Sequence, residues 1–310
     1  MKGMGGIARG LALLLILCGS FPGAAAETAP AFPPIPWDVR VSPNTPHEEC
    51  FLPDGTGYHD DSLDIRIEEF RRNDTAVQCV YVTISDPSQL RAELSQRFPS
   101  KAATVVPTLA KRVRAVLAIN GDYFIYHSEG IAVRNTHTYR ARPTAKRDTL
   151  IIDGNGDFTI LSPTTREAWE SFGGTVLHAF CFGPGLVIDG KPLTDADSVK
   201  INLGPNKRTQ RIAIGQLGPL SYLIIATEGP ENTNAKGFTI TEMAALCAEL
   251  GCINAYNLDG GSSSSVVLHY RKINALSTHR VRPVGDCIWF ATLVPDPPAP
   301  VEAETEGGAE

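Results

Sequence analysis

The chain reads as a single α+β domain, a mixed β-sheet core with a few packed helices, and three observations predict it. Short apolar or alternating strands recur along the body, one helix is punctuated at both ends, and no body segment is long and apolar enough to cross a bilayer. Pro-rich and acidic segments bracket this body. Residues 47–294 form the expected domain, about 250 residues, within the size of one large unit.

Residues 1–26 carry Lys2 and Arg9, an apolar run from Leu11 to Leu17, and Ala24-Ala25-Ala26. That is the layout of a cleaved secretory signal, so the chain is expected to be secreted or periplasmic, without stable membrane insertion. Leu17 is bulkier than the small residue a lipidated Cys18 would need before it, which ranks lipidation below simple cleavage. Residues 27–46 read as a Pro-rich linker. Six cysteines remain after cleavage, an even number that in an exported chain suggests disulfides without choosing a pairing. No C-x-x-C spacing supports a zinc or redox site.

Leu63 to Ile67 alternates as a half-buried strand, and Gln78 to Ile84 reads as its β-rich neighbour. Val116 to Ile119 is an apolar strand ending in Asn120, Gly121 and Asp122, which suits a turn as well as a site. Thr149 to Asp153 and Phe158 to Leu161 flank Gly154-Asn155-Gly156, a hairpin signal. Arg211 begins one strand and Glu228 ends another, each by itself an ordinary solvated strand end. The clearest helix starts at Thr239. Thr239 and Glu242 form a capping box, Phe238 and Met243 occupy staple positions, and Met243, Leu246, Cys247 and Leu250 make one apolar stripe ending before Gly251. The helix feeds a strand from Ile253 to Asn257 that delivers Asp259 into Gly260, Gly261 and Ser262 to Ser265. Residues 295–310 read as a disordered acidic tail.

Lys and Arg number 28 against 34 Asp and Glu, and no basic stripe appears, which argues against a nucleic-acid partner. Several motif matches fail on chemistry. Gly185 to Lys191 has Walker A spacing, but Pro192 replaces the magnesium-holding hydroxyl. Asp153 to Asp157 begins like a calcium loop, yet Phe158 and Thr164 stand at the required Gly and Glu positions. The serines after Gly261 lack a G-x-S-x-G elbow. A carboxylate followed by unshielded amides and hydroxyls suits a polyhydroxylated or anionic ligand instead.

Four segments together resemble the phosphodiester glycosidase family: Asn120 to Phe124, Phe182 to Gly190, Arg211 to Gly215, and Asn257 to Ser264. The resemblance spans roughly residues 63–293, and its last motif is the most specific. It implies a hydrolase cutting the glycosidic C–O bond of a sugar-1-phosphodiester, with surface polysaccharide or glycoconjugates as the setting. A phosphodiesterase cutting P–O and a non-catalytic polysaccharide-binding protein are the alternatives. Departures stand at Ser262, Ile212 and Glu228, where the family carries glycine, threonine and aspartate.

An oxocarbenium-like transition state calls for a nearby carboxylate and a second group that activates water. Asp259 and Glu228 are the expected pair, with Arg211 and the amides of Gly260 and Gly261 on the phosphate. Asn120 is expected to orient Asp259 or hold sugar hydroxyls. Asp122, Arg134, Ser262 and Ser263 complete the expected substrate contacts. No cofactor is required, but Asp259, Asp122 and Glu228 would suit a hard divalent cation such as calcium if they met.

Overall fold

A computed structural model describes residues 32–195, 204, 206–230, 234–275 and 281–298. The expected signal segment, the acidic residues beyond 298 and part of the expected linker lie outside them.

Strands dominate, arranged in three sheets. The longest, of eight strands, runs in the order Gly57–His59, Leu63–Arg72, Thr75–Ile84, Ser221–Thr227, Ile212–Gly218, Asn254–Asn257, Gly185–Ile188 and Lys191–Pro192. A five-stranded sheet contains His137–Arg142, Gly130–Arg134, Val176–Phe180, Thr149–Asp153 and Phe158–Leu161. Another contains Arg271–Lys272, Val266–Leu268, Leu117–Asn120, Asp286–Phe290 and Leu90–Leu94. Every described pairing is antiparallel, which corrects the expected mixed sheet. Antiparallel neighbours need only short connections, and the hairpin between Thr149–Asp153 and Phe158–Leu161 is one. The failed Walker match is another. Asp189 and Gly190 both take positive φ (50° and 74°) and turn Gly185–Ile188 back into Lys191–Pro192.

The inner faces of all three sheets meet in one core that includes Val80, Ile224, Leu117, Ile288, Leu150 and Phe180. Period-two alternation sends the other faces outward to separate layers. On the long sheet, Ala213, Leu223 and Ile225 pack under helix Ile240–Glu249 through Met243, Leu246 and Cys247. The Thr239 and Glu242 capping box forms as the sequence predicts, satisfying orphan amides at the helix start. Helix Val106–Val113 covers Ala118, Cys287 and Trp289 on the third sheet.

The N-terminal segment departs from a free linker. Ile35 is buried, and its amide donates to Ser88 Oγ at 2.9 Å. The buried Arg91 guanidinium donates to the carbonyls of Ile35, Pro36, Trp37 and Val39, so the Pro-rich chain is docked from Phe32 onward. The six described cysteines are free thiols, five of them buried. Because helix Ile240–Glu249 leads directly into the strand that precedes Asp259, its packing also fixes that strand. Leu246→Ala should cost about 2–5 kcal/mol of unfolding free energy in a urea titration, the usual result of a cavity in a closed core.

Candidate active site

Asp259 lies where strand Asn254–Asn257 leaves the long sheet. Leu258 still donates to Ile212 O at 3.0 Å, after which the chain crosses over Gln210. A Cβ on Gly260 would come within 2.6 Å of the Gln210 carbonyl, and Gly261 sits at φ 56° while donating to the same oxygen at 2.9 Å. The two glycines are therefore demanded by a close backbone crossing and a left-handed turn. The Gly261 amide is occupied by Gln210, which corrects its expected place on a phosphate.

Asn120, with no exposed surface, clips both ends of this loop. Its Nδ2 donates to Asp259 O at 2.9 Å and its Oδ1 accepts from Ser265 N at 2.9 Å. It positions Asp259 and offers no group to a sugar hydroxyl. Lys272 holds the loop from the other side, donating to Ser264 O at 2.8 Å and to Asn274 Oδ1. Burial pulls the Lys272 amine down to about 7.

The Asp259 carboxyl is raised above its ordinary range, chiefly by desolvation. Ser263 and Arg282 pull it back down, and Asp122 adds to the upward shift. Ser263 Oγ influences the carboxyl by proximity but makes no hydrogen bond of normal geometry. That oxygen and Asn257 Oδ1 are buried polar atoms without a hydrogen-bond partner among the described residues. Buried orphans of this kind mark places where a ligand or water completes the bonding. Ser262 is half-buried, and its carbonyl accepts from Arg282 N at 3.3 Å.

Beneath the loop lies a buried ion cluster. The Arg134 side chain, 1% exposed, meets Asp286 Oδ2 at 2.7 Å and Asp122 Oδ1 at 3.1 Å, and its guanidinium carbon lies 3.8 Å from the centre of the Phe180 ring. Asp122 is otherwise occupied by the amides of Phe124 (2.9 Å) and Cys181 (2.8 Å). Neither residue reaches solvent, so the structure overturns the expected substrate contacts for Arg134 and Asp122. Gly121 follows from the same cluster, because a Cβ there would sit 2.3 Å from Asp286 Oδ1.

Two further expectations fail on strand geometry. Arg211 shares the side-chain face of Ala213, toward helix Ile240–Glu249, and donates to Phe238 O (3.1 Å) and Lys207 O (2.7 Å). It braces the helix entry, away from the phosphate position expected of it. Glu228 sits at the same end of the sheet as Asp259 but two strands away, roughly 10 Å by strand spacing. Its carboxylate accepts from Ala76 N at 3.0 Å, lies 3.6 Å from Arg71, and borders a separate recess of about 180 Å³. Asp259, Asp122 and Glu228 therefore do not assemble into a cation site; among the described residues no group of three or more such ligands does.

In place of Arg211, the structure brings Arg282 to Asp259. Arg282 donates to Tyr123 Oη at 3.3 Å and lies over the Tyr123 ring, 5.3 Å from its centre. The Tyr123 ring meets His127 edge-on at 5.4 Å, and Arg147 Nη2 approaches His127 Nδ1 at 3.3 Å. Burial, then the Arg147 charge, holds His127 below its ordinary range and so neutral. Tyr123 falls inside the Asn120 to Phe124 motif, and Arg282 ends the basic run His279-Arg280-Val281-Arg282, which was the available signal. A cavity of about 830 Å³ opens past Arg147, walled by the Phe182 to Pro184 turn. Asn257 Nδ2 donates to Gly183 O at 2.9 Å, tying that turn to the strand before Asp259.

A three-sheet antiparallel scaffold thus presents one half-buried, desolvated carboxyl beside a guanidinium and a hydroxyl. The phosphodiester glycosidase family profile matches residues 113–291, more than half of the chain and the segment that contains this loop, and the chain belongs to that family. The catalytic domain of zebrafish N-acetylglucosamine-1-phosphodiester α-N-acetylglucosaminidase, solved auto-inhibited by its pro-peptide, is similar in fold. It has a TM-score of 0.62 at 16% identity, over 80% of this chain and 86% of that one. A hypothetical protein from Synechocystis gives 0.50 at 15% identity, over 74% and 62%. In sequence, the SPbeta prophage-derived uncharacterized protein YomE of Bacillus subtilis is 29% identical over 199 residues, 63% of this chain and 30% of that protein. The chain thus spans about a third of the length of that relative.

Removing one partner of a buried ion cluster leaves uncompensated charge. Arg134→Leu should lower unfolding free energy by about 3–5 kcal/mol, read from chemical denaturation.

Proposed function

We propose that this chain is an exported hydrolase that releases a sugar from a sugar-1-phosphodiester by cleaving the glycosidic C–O bond. Family membership supports the reaction class, and the desolvated Asp259 carboxyl beside Arg282 is the observation that carries the mechanism. Export rests on the pattern of residues 1–26. Among the described residues no helix is long and apolar enough to cross a membrane.

Asp259 accepts the proton of a water that attacks the anomeric carbon. The new C–O bond forms to that water, the bond to the phosphate oxygen breaks, and the phosphate monoester leaves with the electron pair. Its charge needs no protonated acid, which fits a site whose other nearby carboxylate, Asp122, is held by Arg134 and two amides. Arg282 neutralises the departing anion, a role in which charge-assisted bonds strengthen as the transition state develops. Ser263 Oγ and Asn257 Oδ1 supply hydrogen bonds to sugar hydroxyls.

Turnover of a panel of sugar-1-phosphodiesters in oxygen-18 water should place the label on the sugar. Label in the phosphate would show P–O cleavage and reject this mechanism. Asp259→Asn should abolish turnover while retaining ligand binding, whereas a parent already inactive on the whole panel indicates a binding protein. Because Asp259 must be ionised and its carboxyl is raised, kcat/KM should fall on the acid side with an apparent pKa above about 4, the ordinary carboxylate value. Arg282 lowers that pKa, so Arg282→Gln should move the acid limb to higher pH as well as raise KM. An unmoved limb would separate Arg282 from Asp259.

A further inference from the structure

We propose that the cavity lined by Arg147, linked to Asp259 through the His127, Tyr123 and Arg282 side chains, is a second anion subsite that takes a terminal phosphate carried on the aglycone, with Arg147 as its reader. This rests on the assignment of Asp259 as the reaction centre and adds the substrate class.

Two guanidinium groups flank one aromatic wall. Arg282 stands at the Asp259 end of the Tyr123 and His127 rings, and Arg147 stands at the other. Among the described residues neither makes an ion pair with a carboxylate. Among the described residues the Arg147 side chain has one titratable neighbour at hydrogen-bond distance, His127, which is held neutral. A guanidinium without a counter-charge at a cavity wall is a ready partner for a phosphate, which it can hold by two parallel bonds. His127 Nε2 is buried with no hydrogen-bond partner among the described residues, a second polar atom awaiting completion at the same place.

The opposing charges in the cavity do not cancel Arg147. The Asp148 carboxyl is raised by burial and accepts from Gly185 N at 2.8 Å. Lys146 is held by Glu129 at 3.3 Å, and Asp189 and Lys191, one of each sign, lie on the turn that lines the cavity. About 830 Å³ greatly exceeds what one phosphate needs and accommodates an aglycone of small-molecule size. One phosphate thus sits at Arg282 during bond cleavage, while a second, further along the aglycone, reaches Arg147.

The test compares wild type and Arg147→Gln on two N-acetylglucosamine 1-phosphodiesters, one with a methyl aglycone and one with glycerol 3-phosphate. Binding of a two-unit glycerol phosphate oligomer is measured calorimetrically on both proteins, independent of turnover. Losing a charged hydrogen bond to phosphate should raise KM for the glycerol phosphate ester and weaken oligomer binding by about tenfold or more. kcat and every parameter for the methyl ester should stay within about twofold, as expected when uniform binding is removed. Equal changes on both esters, or oligomer binding untouched by the substitution, overturn the subsite. Oligomer binding through Arg147 in a protein that cleaves neither ester supports the subsite and instead rejects the reaction assigned to Asp259.

Discussion

The ion cluster of Arg134, Asp122 and Asp286 is the constraint on which the site depends. Arg134 comes from one five-stranded sheet, Asp286 from the other, and Asp122 from the turn after Leu117–Asn120. Desolvating three charges is costly, and the arrangement holds only because each carboxylate also meets amides or the guanidinium in close geometry. Such a cluster tolerates few alternatives. It fixes the angle between the two sheets at the point where Asn120, two residues before Asp122, reaches across to Asp259.

The cluster also sets the chemistry above it. Asp122 is close enough to push the Asp259 carboxyl upward, while Arg134 is occupied by its own two carboxylates. Without Arg282 and Ser263 pulling the other way, Asp259 would be held still further toward its neutral form. The arginines near the loop thus divide by burial. Arg134 and Arg211 are tied to protein oxygens inside the fold, Arg282 faces the Asp259 carboxyl, and Arg147 stands at the cavity wall against a neutral His127.

Local patterning made the elements legible and left their assembly hidden. Alternation at Leu63 to Ile67, the Gly154 to Gly156 hairpin and the Thr239 capping box each encode their own structure within a few residues. The direction of a strand's partner is not written locally, which is why a mixed sheet was expected where antiparallel pairs formed. The same limit applies to the site. Asn120 was readable as a residue that orients Asp259, whereas Gly260 and Gly261, expected on a phosphate, serve a close backbone crossing over Gln210 that lies 50 residues away in sequence. Arg134 was expected among the substrate contacts, because nothing local shows its acidic partners, which lie 12 residues before it and 152 after it in sequence. Arg211 and Glu228 were misplaced for a simpler reason. Ends of neighbouring strands share an edge of the sheet, but side-chain alternation and strand spacing decide whether they share a pocket.

Among the described residues of the loop and the cluster beneath it, only the Asp259 carboxyl is not held by a salt bridge, and under the proposed reaction this limits which leaving group the loop can help to expel. Ordinary glycosidases pair their nucleophile or base with a protonated acid because a sugar alkoxide is a poor leaving group. Here the second nearby carboxylate lies beneath the loop, bound to Arg134, and cannot reach a glycosidic oxygen. Glu228 faces another recess. A phosphate monoester departs without protonation, so the substrate itself supplies what the missing acid would provide. In that reaction Arg282 does the complementary work, stabilising negative charge where an acid would have donated a proton. Under the proposed reaction, a neutral alcohol leaving group would need a proton that Asp122 and Glu228 are not placed to give, whereas a phosphate ester needs none.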